Sequence, residues 1–171
     1  MFADAFSEIA QCDVMFIGSG SIRTTELGPI ITLKDFRSCF PYDDSLNRFT
    51  IDGKKLKKIF EHFMRKENRN GEGDCYQING SIKAVYNDAE IRLEKLEFKG
   101  KPVLDSQLYT ICIQGYHMNN SAKLLNLTNE ELVENENHKV ISTSSREVLE
   151  EYLRDNQNKS RDVEGRLVYI Q

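Results

Sequence analysis

The segment G-S-G-S-I-R, residues 18–23, is the strongest candidate for ligand chemistry because it directly follows a short apolar run at residues 13–17. Gly18 and Gly20 would let a ligand approach the backbone closely, and exposed N–H groups there can donate to anionic oxygens. The guanidinium of Arg23 offers a planar fork of donors suited to phosphate or ribose oxygens. A tight turn with a surface arginine is the competing interpretation, and the segment alone does not decide between them.

A second segment, F-P-Y-D-D-S-L at residues 40–46, places an aromatic ring in a loop. Pro41 fixes the backbone immediately before Tyr42, and the two aspartates that follow favour a turn. The face of the Tyr42 ring could stack on a base. A loop aromatic tucked into the core fits the same pattern, so both interpretations stay open.

A third segment, Q-G-Y-H-M-N-N at residues 114–120, follows a predicted strand. Tyr116 could supply a second ring, and two rings that sandwich a base contribute about 1–3 kcal/mol per stacking face. Asn119 and Asn120 carry donors and acceptors for sugar or base edges. The alternative is a solvated junction between a strand and a loop.

The sequence predicts no catalytic residue, no metal site and no cofactor on this chain. Hydrolysis at a binuclear metal site needs a cluster of Asp, His and Asn ligands. The chain has three histidines, His62, His117 and His138, and no D-x-H, H-x-H or G-N-H-D segment. There is also no G-x-S-x-G elbow, although a Ser-His-Asp or Cys-His centre can be judged only from geometry.

The length and net charge of the chain indicate one domain and argue against some classes of partner. The chain has 171 residues, which fits one domain, with 39% apolar and 29% charged residues. Its formal net charge of −4 argues against a broad surface for nucleic acid or anionic membrane. No apolar run approaches the length of a membrane span, and no signal peptide is visible at the N-terminus. We therefore expect neither nucleic acid nor membrane as a partner.

The four cysteines, Cys12, Cys39, Cys75 and Cys112, are widely spaced and form no C-x-x-C pair. This spacing predicts separate thiols and argues against a zinc ribbon or a redox motif. Disulfides remain the alternative.

Apolar periodicity predicts a mixed set of helices and strands. Helices are predicted over residues 2–10, from Thr32 to Pro41, over residues 54–66, and from Ser144 or Ser145 through Leu153. Strands are predicted over residues 13–17, 46–51, 108–113 and 165–170, in two pieces across 76–86, and over 91–98 with a bulge. Turns or loops are predicted at residues 18–21, 52–53, 68–74, 99–102, 116–123 and 129–138. The absence of strict alternation favours a single α+β domain over residues 1–171, of a layered α/β/β/α type with mixed sheets covered by helices.

The order of several segments matches one family. The segments are M-F-A-D-A-F at residues 1–6, the motifs at 18–23 and 40–46, G-K-K-L-K-K-I-F-E-H at 53–62, the run 108–124, and E-G-R-L at 164–167. In order and spacing they resemble the C-terminal domain of the 5′-nucleotidase family, which includes periplasmic UDP-sugar hydrolases and ecto-5′-nucleotidase. That family reads N-G-G-G-I-R, L-P-F-x-N-T-L and G-x-x-L-K-x-A-F-E-H at the corresponding places.

The resemblance implies a division of labour between domains. In the family, an N-terminal metallophosphoesterase domain with two divalent metal ions performs the hydrolysis. The C-terminal domain binds the nucleoside, with its base stacked between two aromatic rings. By resemblance, Tyr42 and Tyr116 would be the stacking rings and Arg23 would lie near the phosphate and ribose. The expected partners are a nucleoside or nucleotide and an N-terminal metallophosphoesterase domain in cis. The resemblance implies that the chain is a fragment of a longer protein that lacks this domain. We therefore expect the chain to be inactive on its own.

Two positions depart from the family pattern. Gly18 stands where the family has an asparagine that helps to hold substrate, and Ala122 aligns with an aspartate that contacts ribose hydroxyls. The alternative hypothesis is therefore a divergent, non-catalytic binding or structural module of the same fold. An independent enzyme with an unrecognised centre is a third. The compartment stays open, because family members are often exported whereas separate thiols favour a reducing interior.

Overall fold

A computed structural model of the chain describes residues 1–24, 27–70, 75–135 and 137–171. Its helices are α1 (Phe2–Ala10), α2 (Leu33–Cys39), α3 (Gly53–Phe63), α4 (Lys66–Arg69), α5 (Gly115–Asn119), α6 (Ser121–Leu124), α7 (Asn129–Val133) and α8 (Ser145–Asp155). Its strands are β1 (Val14–Gly18), β2 (Leu46–Asp52), β3 (Tyr76–Ile78), β4 (Ile82–Asn87), β5 (Arg92–Phe98), β6 (Lys101–Pro102), β7 (Leu108–Gln114), β8 (Lys139–Ser142) and β9 (Leu167–Ile170).

The strands form two mixed sheets. Five strands follow the order β3-β1-β7-β2-β8, in which β1 and β7 are parallel and the other neighbours are antiparallel. Four strands follow the order β6-β5-β4-β9, in which only β4 and β9 are parallel among the described residues. The expected single α+β domain with mixed sheets and packed helices is confirmed.

The five-stranded sheet separates two apolar cores because successive residues of a strand point to opposite faces. On one face, Met15 and Ile17 of β1 pack with the buried apolar residues of α1, α2 and α8. On the other face, Val14 and Phe16 pack with α3 and with the buried residues of the four-stranded sheet. Helix α3 contacts both sheets through its stripe of fully buried residues, Leu56, Ile59, Phe60 and Phe63.

Strand directions bring three chain segments to one edge of this sheet. Because β1 and β7 are parallel, their carboxyl ends lie at the same edge, so the chain leaves both strands there. Strand β2 is antiparallel to β7 and pairs Leu46 with Gln114, so the segment that enters β2 arrives at this edge as well. Residues 18–23, 40–45 and 114–119 therefore meet in space although they are distant in sequence.

The bulge expected in residues 91–98 is confirmed. Val85 pairs with Lys95 but Tyr86 pairs with Leu93, so Glu94 is the extra residue of β5. The four cysteines are free thiols, which confirms that prediction. Of the alternatives for the cap of α8, the structure selects Ser144, whose hydroxyl accepts the N–H of Glu147 at 3.1 Å.

Several predicted loops are instead regular structure. Residues 52–53 are not a turn, because Asp52 ends β2 and directly caps α3 by accepting the N–H of Lys55. Residues 116–123 belong to α5 and α6, and residues 18–21 end β1 and form a 3₁₀ turn. The turn expected at 99–102 is shorter, since Lys101 and Pro102 form β6.

The acidic segment at residues 129–138 is predicted to be an exposed loop, and this is wrong for its first half. Thr128 and Glu131 form a reciprocal capping box that starts α7, and Leu132 is buried in the core. Strand β8 follows, which the sequence does not predict. The predicted loop at 68–74 begins inside α4, and its residues 71–74 lie outside the described residues.

Candidate functional site

A cavity of about 620 Å³ lies where the three segments meet. Its lining contains six of the seven predicted site residues together with five others: Gly18, Gly20, Ser21, Arg23, Tyr42, Asp43, Asp44, Gln114, Tyr116, His117 and Asn119. Asn120 is not part of the lining. It ends α5, and its Nδ2 donates to the carbonyl oxygen of Tyr116 at 2.8 Å.

The cavity has an exposed aromatic rim and a buried polar floor. Tyr42 is 48% exposed and Tyr116 is 62% exposed, whereas Gln114 and His117 are 2% and 4% exposed. Both tyrosines are thus exposed to solvent, so Tyr42 is not the core aromatic that the sequence left as its alternative.

Arg23 and Tyr42 are joined at the rim. Nη2 of Arg23 donates to the hydroxyl oxygen of Tyr42 at 2.5 Å, and the guanidinium carbon lies 5.2 Å from the ring centroid. The backbone N–H of Arg23 donates to the carbonyl oxygen of Cys39 at 2.8 Å, which ties the glycine segment to the end of α2. The predicted cation and the first predicted stacking ring therefore form one unit.

Asp44 links the second segment to the third. Its Oδ2 accepts the backbone N–H of Tyr116 at 2.5 Å, and its Oδ1 accepts the N–H of Ser45 at 2.8 Å. Gly115 makes this approach possible, since a Cβ there would lie 2.6 Å from Oδ1 of Asp44. The two segments that carry the tyrosines are thus held together by a carboxylate.

The neighbouring Asp43 is tied to α8. Its Oδ1 accepts the hydroxyl of Ser144 at 2.8 Å, and its Oδ2 forms an ion pair with Arg146 at 3.2 Å. Both aspartates are thus held by donors of the protein itself, and among the described lining residues Arg23 is the one Lys or Arg side chain.

The floor of the cavity contains two hydrogen-bonded pairs of polar side chains. Ser21 Oγ donates to Oε1 of Gln114 at 3.1 Å. His117 Nδ1 and the hydroxyl of Tyr76 lie 2.9 Å apart, in a hydrogen bond whose direction depends on the imidazole tautomer. Both contacts fix the orientation of buried side chains that face the cavity.

Sequence reasoning missed His117 and Gln114. His117 sits in a polar stretch typical of a loop, and its burial depends on Tyr76 and Gly18, which no local pattern connects to it. Gln114 could have been found, because a glutamine as the last residue of an apolar strand is a buried polar side chain at a strand end. Ala122, the second departure from the family pattern, is exposed in α6 and does not line the cavity.

Within the described ranges, no group of three or more His, Cys, Asp and Glu side chains is arranged to hold a metal ion. None of the helices that the structure describes is both long enough and apolar enough to cross a membrane.

The comparisons with known proteins agree with this architecture. The family model described as "5'-nucleotidase, C-terminal domain" matches residues 1–127. A search of curated proteins found no match.

Several solved structures share the fold. A 5′-nucleotidase precursor from Thermus thermophilus aligns with a TM-score of 0.77 and 18% identity, over 99% of this chain and 34% of that chain. The NAD nucleotidase of Haemophilus influenzae aligns with a TM-score of 0.68 and 16% identity, over 98% and 31%. The sulfate thiohydrolase SoxB of Thermus thermophilus aligns with a TM-score of 0.69 and 19% identity, over 99% and 31%.

At these identities the likeness shows the fold alone, and the chain spans about a third of the length of each of these proteins. The family model, in contrast, covers well over half of the chain, including all three cavity segments. This chain belongs to the 5′-nucleotidase C-terminal domain family.

Proposed function

We propose that this chain is the nucleotide- or nucleoside-recognition domain of a 5′-nucleotidase-type phosphohydrolase. It holds the base of its ligand between Tyr42 and Tyr116 and presents the phosphate to a metal site on a separate N-terminal domain. The observation that carries the proposal is the convergence of two exposed tyrosine rings and the Arg23 guanidinium on one cavity.

The chemistry of the cavity fits such a ligand. Aromatic rings offer stacking surface to any base. The guanidinium of Arg23 is a planar donor suited to phosphate or ribose oxygens, and its contact with Tyr42 positions it beside the first ring. A nucleotide combines these two recognition elements in one molecule.

The hydrolytic step belongs to another domain in this proposal. Two divalent metal ions on an N-terminal metallophosphoesterase domain in cis would activate the attacking water and stabilise the charge on the phosphate. The chain's own residues would bind and orient the nucleotide. Support comes from the length of the structurally similar proteins, of which this chain spans about a third.

A titration of the chain with adenosine, AMP and UDP-glucose, followed by backbone amide chemical shifts, tests the proposal. Shifts concentrated at residues 18–23, 42–44 and 114–119 are expected. Tyr116→Ala should weaken binding about tenfold or more, since one stacking face contributes about 1–3 kcal/mol. The control Tyr152→Ala lies on α8 outside the cavity and should bind like the unmodified chain. Absence of any response at millimolar ligand would contradict the proposal and favour a module that has lost its pocket.

A further inference from the structure

At the floor of the cavity, the imidazole of His117 packs against Gly18 in the volume that a side chain on residue 18 would need. A Cβ atom placed on Gly18 would lie 2.5 Å from Nε2 and 2.6 Å from Cε1 of His117, closer than side chains tolerate. Gly18 has φ −56° and ψ 129°, a conformation open to any residue, so glycine is required here for space alone. The imidazole edge thus fills the position that a side chain from residue 18 would take.

The imidazole is held rigidly in that position. Its Nδ1 lies 2.9 Å from the hydroxyl of Tyr76, and its ring packs edge-on against Tyr76 at 5.0 Å and against Tyr116 at 5.4 Å between centroids. Tyr76 is 1% exposed and pairs directly with Gly18 across β3 and β1. A polar ring locked by packing and a hydrogen bond is suited to recognition, because little side-chain freedom is lost when a ligand binds.

The position of the imidazole relative to the two tyrosines defines what it can contact. Tyr42 and Tyr116 form the rim and are partly exposed, whereas His117 and Gln114 are buried yet line the same cavity. The inner edge of a base stacked at the rim would therefore contact the imidazole of His117 and the carboxamide of Gln114, which are both hydrogen-bonding groups. An apolar side chain at position 117 would fill the same volume without offering such a contact.

We infer that His117 is a specificity-determining residue of this cavity, which contacts the polar edge of the nucleobase and favours bases that carry hydrogen-bonding atoms there. The inference rests on the proposed function. It also accounts for the glycine at position 18, because an asparagine there, as in the motif that the chain resembles, would collide with the imidazole. Residue 117 then supplies the floor contact that residue 18 cannot.

Two ribosides of similar shape distinguish base-edge recognition from a merely structural role. Adenosine has a polar base edge, and indole riboside has a bicyclic base without edge nitrogen or oxygen atoms. We expect His117→Leu to reduce the preference for adenosine over indole riboside by about tenfold, the effect of one lost hydrogen bond. A variant that only disturbed the fold would weaken both ligands equally. The control His138→Leu removes a histidine that stacks on Phe49 and does not line the cavity, and it should keep the preference.

A measurement on the unmodified chain covers the case in which His117→Leu does not fold. The chain has three histidines, and His62 and His138 do not line the cavity. Saturating adenosine should shift the ¹⁵N resonance of His117 Nε2 and leave those of His62 and His138 in place. An unchanged Nε2 resonance, or an unchanged preference in His117→Leu, with adenosine bound, would overturn the role of His117 and leave the proposed function standing. Failure of the unmodified chain to bind either riboside would overturn both.

Discussion

Asp44 accepts the backbone N–H of Tyr116 at 2.5 Å, across a separation of 72 residues. This contact joins the loop that carries one exposed tyrosine to the first turn of the helix that carries the other. The two segments that carry the tyrosines are thus held together by a charged hydrogen bond within the chain. If the cavity binds a ligand as proposed, such a contact would lower the entropy lost on binding.

Replacing Asp44 with alanine should loosen this arrangement. The variant loses the acceptors for the N–H groups of Tyr116 and Ser45, so we expect the free energy of unfolding to fall by about 1–2 kcal/mol. Urea denaturation measures the change. Asp105→Ala is the matched control, since this exposed carboxylate pairs only with Lys57 in the described structure and should change stability by less than about 1 kcal/mol. Equal stabilities of the two variants would contradict the role given to Asp44.

The shared space of Gly18 and His117 predicts strong coupling between the two positions. Gly18→Ala should destabilise the chain by about 1–3 kcal/mol, because the new Cβ overlaps Nε2 of His117. In a chain that already carries His117→Ala, Gly18→Ala should lower the free energy of unfolding clearly less. The difference should give a coupling energy above about 1 kcal/mol in a double-mutant cycle. Gly28→Ala serves as control, since its Cβ would approach no described atom outside its neighbours closer than 3.8 Å. Additive effects of the two substitutions would show that the side chains do not compete.

Arg23 should distinguish phosphorylated from unphosphorylated ligands. In the proposed function the guanidinium of Arg23 meets phosphate oxygens, so Arg23→Ala should weaken AMP binding by about tenfold more than adenosine binding. Calorimetric titration of both ligands measures the difference. Tyr42→Phe removes the hydroxyl that accepts from Arg23 but keeps the ring, and should change both affinities to a similar, small extent. Equal losses for AMP and adenosine in Arg23→Ala would place the phosphate elsewhere.

Asp4 links stability to acid pH. Burial raises the pKa of its carboxyl, but hydrogen bonds from Arg166 at 2.9 Å and from the N–H of Gly80 at 2.7 Å outweigh burial and leave the pKa below its usual value. Because the folded-state pKa is the lower one, this stabilisation is present above the unfolded-state value of about 3.9 and is lost as the pH falls through the folded-state value.

Asp4→Asn should therefore lower the free energy of unfolding by about 1–2 kcal/mol at pH 7 and flatten its decline at acid pH. Urea titrations at a series of pH values from about 2 to about 7 supply the profile, since this range crosses the unfolded-state pKa of about 3.9 and extends below it. Asp155→Asn, at the exposed end of α8, is the control and should change the free energy of unfolding at pH 7 by less than about 0.5 kcal/mol. A wild-type-like acid slope in Asp4→Asn would contradict the contribution of this carboxylate.

The fold was predictable where local patterns dominate. The apolar stripe of α3 and the short apolar run of β1 identify these elements without tertiary information. Helix α7 was missed because its only buried residue is Leu132, and an acidic composition outweighed the capping box formed by Thr128 and Glu131. Strand β8 is short and half-exposed, so its pairing with β2 leaves little trace in the sequence.

The site was predictable in its rim and not in its floor. Arg23, Tyr42 and Tyr116 stand in recognisable segments, and the strand directions bring them together. The position of His117 depends on a hydrogen bond to Tyr76 and on the missing side chain of Gly18, at sequence separations that no local rule spans. The contact between residues 18 and 117 depends on the pairing of distant strands, so it can be identified only from the three-dimensional structure.

A crystal structure of the chain grown with adenosine tests the central claim most directly. If the cavity binds nucleosides as proposed, the electron density of the base will lie between the rings of Tyr42 and Tyr116, with one edge of the base against His117 and Gln114. Adenosine bound at another surface, or ring faces of the two tyrosines covered by protein while the ligand binds elsewhere, would contradict it.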